Sequence, residues 1–311
     1  MIHQKFEKMD LKQEKQLKRI EKVAFVYLSQ ETSHYMISKN LEFDVQRRPL
    51  LGLQYLCAVL EEKRIKTVMF DQVSTPFSLK ELIEKLREYD LTGFYCSDAQ
   101  EDKLKIYSKK IREKLKIPLI IGGPGTLSNT SYLDSSFDIV VHGEGEITMW
   151  QIIEYYNGKR KLEEINGISY KKNNKIIASL PQEVIKNLDE LPFPDRSKID
   201  INAYYDYFIF GMKTPYITMI ASRGCIYRCT FCTTYAIWNN QYRRRSVDNV
   251  LAEIDYVVKR YGTNYIAFQD DVFGRTNDWI EEFCKKLIIR NYKFKWMAIL
   301  HPFSVRNDTE R

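Results

Sequence analysis

The chain has 311 residues, 44% hydrophobic and 29% charged, with a formal net charge of +7. It is long and apolar enough for two cored domains, and its six cysteines are too sparse for a disulfide scaffold. No apolar run approaches the roughly 18 residues of a membrane span and the N-terminus is charged, so no span or secretory signal is visible and a reducing cytoplasm is the expected setting.

Residues 1–22 carry seven basic against four acidic side chains and read as a charged N-terminal extension, a solvated helix or frayed tail. From Val23 to about residue 160, short β-rich runs alternate with helical periodicity. The runs are Val23–Leu28, Lys66–Phe70, Leu91–Tyr95, Pro118–Ile121 and Phe137–Val141. Between them, Leu50, Leu53, Leu56 and Leu60, then Leu79, Ile83 and Leu86, then Leu104, Ile111 and Leu115 each mark one helix face. Such alternation predicts a parallel sheet covered on both faces, an α/β doubly wound (Rossmann-like) domain over 23–160. Its ligands are expected beyond the carboxyl ends of the strands, where Gly122-Gly123-Pro124-Gly125 and Gly143-Glu144-Gly145-Glu146 stand.

Residues 161–213 form the expected connection. Two β-rich runs flank Lys172-Asn173-Asn174, and Asn-Asn tolerates the left-handed turn of a hairpin. Pro192 and Pro194 then block helix and strand alike, which reads as an extended linker. Tyr204, Tyr205, Tyr207, Phe208 and Phe210 follow and read as packing between domains, with a substrate wall as the alternative.

A second domain, 214–311, is expected to run strand Tyr216–Ala221, loop, helix Val247–Lys259, strand Tyr265–Gln269, helix Asn277–Ile289 and strand Phe294–Leu300. Strand-helix-strand units of this kind build (β/α) barrels. Arg243-Arg244-Arg245 is the second basic patch, with Ser246 as the expected N-cap of the helix after it. Without an aromatic-basic stripe, zinc finger or helix-turn-helix pattern, nucleic acid is not the expected partner.

The loop after Ala221 holds Cys225, Cys229 and Cys232 at Cys-x3-Cys-x2-Cys spacing. Three thiols leave a tetrahedral zinc one ligand short, a place His301 can fill in principle. A cubane iron-sulfur cluster tolerates three, because each thiolate holds one iron and the fourth iron stays open. Cys57 and Cys284 lie on expected helices and read as core fillers.

This spacing after a strand, with Phe231 just before the last cysteine, resembles the signature of the radical S-adenosylmethionine superfamily. Together with Pro49–Leu56 opening the first helix and the two glycine turns, nearly the whole chain resembles the branch that carries a cobalamin-binding domain. The resemblance implies a 4Fe-4S cluster on Cys225, Cys229 and Cys232, and S-adenosylmethionine beside Phe231, Asp270 and Asp271. It likewise implies cobalamin bordered by Ser97, Gly122, Gly123, Gly143 and Glu144. The Asp-x-His-x-x-Gly motif of the better-known cobalamin domains is absent from Ser29–Asn40, whose single imidazole is His34, so the lower axial ligand is unassigned.

The implied activity is one-electron cleavage of S-adenosylmethionine to a 5′-deoxyadenosyl radical, for methylation or another modification of an unactivated carbon in a small-molecule substrate. The implied electron donor is a flavodoxin or ferredoxin. Barrels of this family run on for about three more strand-helix units, so the resemblance implies an incomplete barrel, and a partner chain completing it. Two other readings stand beside this one: an inactive cobalamin- or cluster-binding module acting with a partner chain, and a zinc-stabilised interaction protein.

Overall fold

The computed structural model describes residues 19–29, 49–97, 100–127, 130–204, 215–238 and 240–301. The tail up to Lys18, the loop with His34, the aromatics from Tyr205 to Phe210 and the last ten residues lie outside them.

Five short strands form the parallel part of the first sheet: β1 (Lys22–Tyr27), β2 (Lys66–Asp71), β3 (Leu91–Tyr95), β4 (Leu119–Gly122) and β5 (Ile139–Val141). Their order is β2-β1-β3-β4-β5, all parallel, as the alternation of runs and helical faces predicts. Successive side chains of a strand point to opposite faces. On β1, Val23 and Phe25 join one core with Leu53, Cys57 and Leu60 of α1 (Leu51–Glu62) and Ile152 and Ile153 of α5 (Gly145–Tyr156). Ala24 and Val26 join the other, with Leu82 and Leu86 of α2 (Leu79–Leu86), Leu104 and Ile111 of α3 (Glu101–Lys114), and Tyr132 and Leu133 of the short α4 (Tyr132–Ser135). The sheet is therefore packed on both faces. Cys57 is a core filler, and burial pushes its thiol up to about 12.

The sequence divides the chain at about residue 160, yet the sheet continues past that point. The hairpin β6 (Ile168–Lys172) and β7 (Lys175–Ala178) adds antiparallel to β5, making seven strands. Asn173 and Asn174 take φ of 51° and 60°, the left-handed turn that this dipeptide accommodates.

The segment after the hairpin is strapped to both domains. Asp195 N–H donates to the Gln54 carbonyl (3.1 Å), and Lys198 reaches Glu61 on the first domain. Arg196 turns the other way and buries its guanidinium in the second domain, donating to Glu253 (2.6 Å) and the Thr218 carbonyl (2.7 Å). Tyr204 is buried and donates its hydroxyl to Asp71. Instead of an extended linker, the strap runs through short 3-10 turns at Leu188–Glu190, Arg196–Lys198 and Ile201–Ala203, with Pro192 and Pro194 between the first two.

The second domain has a parallel sheet of β8 (Ile217–Met219), β11 (Tyr265–Phe268) and β12 (Lys295–Met297), with β11 central. After the short α6 (Thr234–Trp238), two helices pack against it, α7 (Val247–Tyr261) and α8 (Asn277–Ile289). Ser246 caps α7 as expected, accepting from Asn249 N–H (3.2 Å), and Gly262 ends it in the left-handed conformation. Trp296 packs edge-on against Phe268 and Phe283, whereas Ile299 and Leu300 face solvent.

Candidate functional site

Between Ala221 and Arg245 the chain makes a loop closed at its base. β9 (Ser222–Arg223) and β10 (Arg243–Arg244) pair antiparallel, with Arg223 opposite Arg243, and Arg245 N–H donates to the Ala221 carbonyl (2.8 Å). Gly224 leaves this ladder at φ +88°, and a Cβ built there would lie 1.9 Å from the Gln241 carbonyl oxygen. Only glycine fits, so the first cysteine of the motif is preceded by an obligatory turn.

Cys225, Cys229 and Cys232 follow on the loop and all are partly exposed. Cys232 N–H donates to the Cys229 carbonyl (3.0 Å), which folds the last two toward each other. Burial pushes the Cys225 thiol up against the Tyr227 N–H bond that lowers it, and the Asp271, Cys229 and Cys232 charges add to the rise. Among the described residues no three His, Cys, Asp or Glu side chains gather at a single-ion site. A cubane asks for something else, three thiolates each on a different iron, and a loop bearing three accessible thiols fits it. His301, the candidate fourth zinc ligand, instead stacks on Tyr227, with ring centroids 3.5 Å apart. Phe231 is 89% exposed.

The two aspartates after β11 point to different places. Asp270 is buried and accepts from Ala221 N–H (3.1 Å) and Ser222 Oγ (2.5 Å), tying β11 to the end of β8. Asp271 accepts from Gly224 N–H (3.2 Å) and Thr234 Oγ1 (3.2 Å), at the cysteine loop itself. Burial raises Asp270 to about 7 against the hydrogen bonds that lower it. A carboxyl raised on folding contributes stability that is full below its unfolded value near 4 and lost as pH rises through 7. Asp270→Asn should therefore flatten the pH dependence of second-domain unfolding between about pH 4 and 7, followed by tryptophan fluorescence in urea. An unchanged slope would assign that dependence to other groups.

A cavity of about 520 Å³ opens at the carboxyl ends of the first sheet. The first domain lines it with Phe25, Tyr95, Ile120 and Val141 of the strands, Leu53 and Leu56 of α1, and the glycine turns including Gly122, Gly123, Gly143, Glu144 and Gly145. Second-domain residues line it too: Ser222, Arg223, Trp238, Gln269 and Asp271. The cavity thus lies between the glycine turns and the base of the cysteine loop.

Its backbone is bare where a bulky group needs room. A Cβ built on Gly52 or Gly143 meets nothing within 4 Å. A broad, largely apolar cofactor suits this lining. Gly123 has another reason to be glycine: at φ +116° its Cβ would sit 2.6 Å from the Cys96 carbonyl oxygen, so the turn itself demands it. Ser97 does not line the cavity; its amide and hydroxyl both reach Gln100 Oε1 (3.1 Å each).

Sequence reasoning places Glu144 beside a cofactor and reads the three arginines as a basic patch. The structure pairs them. Arg223 donates from Nη1 to Glu144 (2.7 Å) and from Nη2 to Glu146 (2.6 Å), while Arg243 Nη1 holds both oxygens of Glu144 (2.9 Å each). All four are buried. Burial works against the Arg223 charge, but Glu146 and Glu144 outweigh it and hold the guanidinium above its ordinary range. Arg245 is buried on Glu253, so of the three consecutive arginines only Arg244 is exposed. The available signal was two acids in a glycine turn and an arginine directly before the Gly-Cys.

No family model matches the chain. An uncharacterised methyltransferase of Pyrococcus horikoshii is 28% identical over 233 residues, 72% of this chain and 49% of that protein. The anaerobic magnesium-protoporphyrin IX monomethyl ester cyclase of Cereibacter sphaeroides is 25% identical over 84% of this chain and 44% of its own length. The chain spans about half the length of these curated relatives. Among solved structures, the cobalamin-dependent S-adenosylmethionine radical enzyme OxsB, with aqua-cobalamin and S-adenosylmethionine bound, superimposes with a TM-score of 0.72. It covers 93% of this chain and 40% of that one at 22% identity. The radical S-adenosylmethionine methyltransferase TsrM of Kitasatospora setae gives a TM-score of 0.65 over 88% of this chain and 51% of its own, at 13% identity. Both likenesses are of fold, an α/β domain followed by a partial barrel. The chain thus has curated relatives among methyltransferases and an anaerobic cyclase, and it shares the fold of cobalamin-dependent S-adenosylmethionine radical enzymes.

Proposed function

We propose that the chain binds a 4Fe-4S cluster, S-adenosylmethionine and cobalamin, and with them methylates or otherwise modifies an unactivated carbon of a small molecule. The observation that carries this reading is the shared cavity, lined by the glycine turns of the first sheet and by residues at the base of the Cys225–Cys232 loop. Relatives named as methyltransferases favour methylation, and the cyclase relative keeps ring closure as the second outcome.

Cys225, Cys229 and Cys232 would hold the cluster, leaving one iron open. When bound, the cluster supplies one electron to S-adenosylmethionine and cobalamin supplies a transferable methyl group. Asp271 has a carboxylate at the cysteine loop and on the cavity, suited to the ammonium group of S-adenosylmethionine. Phe231 offers an exposed ring beside the last cysteine for the same ligand. Asp270 positions the end of β8 from within the core. Leu53, Leu56, Tyr95 and Val141 would exclude water around the corrin, with Gly122, Gly123, Gly143 and Glu144 bordering its nucleotide tail and Ser97 in the loop beyond. The electron would come from a flavodoxin- or ferredoxin-type donor, and an oxygen-poor cytoplasm suits an open cluster. Among the described residues no helix is long and apolar enough to cross a membrane.

The test is anaerobic reconstitution with iron and sulfide, followed by reduction in the presence of S-adenosylmethionine. Formation of 5′-deoxyadenosine or of a methylated product supports the reading, and one bound zinc without acid-labile sulfide would remove it. Cobalamin is tested through Gly52, which lies in the first turn of α1 with open space over it. Gly52→Ala should stabilise the helix by about 0.5–1 kcal/mol. Gly52→Phe should fold equally well yet fill the cavity and lower cobalamin affinity at least about tenfold, or about 1.4 kcal/mol, in a titration followed by visible absorbance. Equal affinity for wild type and Gly52→Phe would place cobalamin elsewhere.

A further inference from the structure

Four buried ionic side chains join the two domains, and each domain supplies one sign. Glu144 and Glu146 come from the opening of α5, and Arg223 and Arg243 from the two strands that close the cysteine loop. Pairs this deeply buried are poor stabilisers, because removing the charges from water costs about as much as their attraction returns. Their effect is better sought in geometry. A guanidinium is a rigid planar fork, so holding Glu144 with one nitrogen and Glu146 with the other fixes both its place and its orientation. Tyr55 of α1 supports it further, with its ring centroid 5.1 Å from the Arg223 guanidinium carbon.

The backbone carries this constraint directly to the cysteines. Arg223 precedes Gly224-Cys225, and its ladder partner Arg243 lies at the far end of the same loop. Arg243 also donates to the Ile185 carbonyl (2.7 Å), while Ile185 N–H donates to Glu144 (2.7 Å), so the strap between domains is drawn into the same knot. Both ends of the loop are thus referred to the one turn, Gly143–Glu146, that borders the cavity of the first domain.

We propose that Arg223 is a positioning residue: its two-pronged grip on Glu144 and Glu146 is a latch that sets the distance and angle between the cysteine loop and the first-domain cavity. The proposal rests on the function argued above, in which the groups held on either side must meet over one substrate atom. Domain pairs within a chain are mobile unless their interface prevents it, and misplacement of reacting groups by about 1 Å lowers rate about 100-fold.

The test compares wild type, Arg223→Lys, and the charge-balanced double variant Arg223→Gln with Glu146→Gln, which leaves the Glu144–Arg243 pair intact. Hydrogen exchange is measured on the whole chain without added cofactors, and decides whether the latch exists. In the double variant, exchange should quicken in Ser222–Arg244 and around Ile185 while both domain cores stay as protected as in wild type. Arg223→Lys, which can grip one carboxylate but not both, should fall between. After loading, dipolar coupling between cob(II)alamin and the reduced cluster should give one narrow distance in wild type and a broad distribution in the double variant. Cobalamin and iron content are measured on the same samples, so that a lost cofactor is not read as a broadened distance. Unchanged exchange in the loop, an equally narrow distance, or loss of protection throughout both cores would each overturn the latch. If wild type takes up neither cobalamin nor iron, the functional reading fails, and the exchange comparison still decides the latch.

Discussion

Glu253→Ala is expected to destabilise the second domain by about 3–5 kcal/mol, the largest stability effect of any single substitution considered. Glu253 is fully buried on α7 and receives two guanidiniums, Arg196 from the strap at 2.6 Å and Arg245 from the end of the cysteine loop. Removing the carboxylate leaves both cations buried without their counter-charge. Backbone carbonyls of Thr218 and Ile220 and the Asn249 side chain keep some hydrogen bonds, but none carries a full negative charge. Glu253→Gln should cost less, since it retains an acceptor. Urea unfolding followed by tryptophan fluorescence makes the measurement, and a loss below about 1 kcal/mol would show that water reaches the site.

The second large effect is all-or-none. Alanine at Cys225, Cys229 or Cys232 should bring iron and acid-labile sulfide from about four each per chain to near zero after anaerobic reconstitution, whereas Cys57→Ala and Cys284→Ala should load like wild type. The contrast rests on position. Cys57 is sealed in the first core and Cys284 packs against the second, while the other three share a partly exposed loop. Full iron content in Cys229→Ala would end the assignment.

How far the sequence reads depends on how local each cause is. Strands and helices are legible because their alternation is written over short runs of consecutive residues, and the β1 residues Val23 to Val26 do split between two cores as a doubly wound sheet requires. The cysteine loop is legible for the same reason. The arginine-glutamate network is not, because its partners lie 79 and 99 residues apart and an isolated charge is by default a solvated one. Three consecutive arginines therefore read as a surface patch, although two of them are inside. Nor does the pair Asp270-Asp271 reveal its division of labour, since which carboxylate faces the core depends on how the chain leaves β11.

The short ladder of Arg223 with Arg243 has a consequence for divergence among related chains. It fixes the two ends of the cysteine loop independently of what lies between them. For a segment pinned in this way, doubling the length adds only about 0.6 kcal/mol of closure entropy. Insertions between Cys232 and Gln241 should then be tolerated by the scaffold, while the same insertion before Gly224 or after Arg243 would pull the ladder out of register. Length variation among related chains is therefore expected between Cys232 and Gln241 rather than at the two anchored ends of the loop.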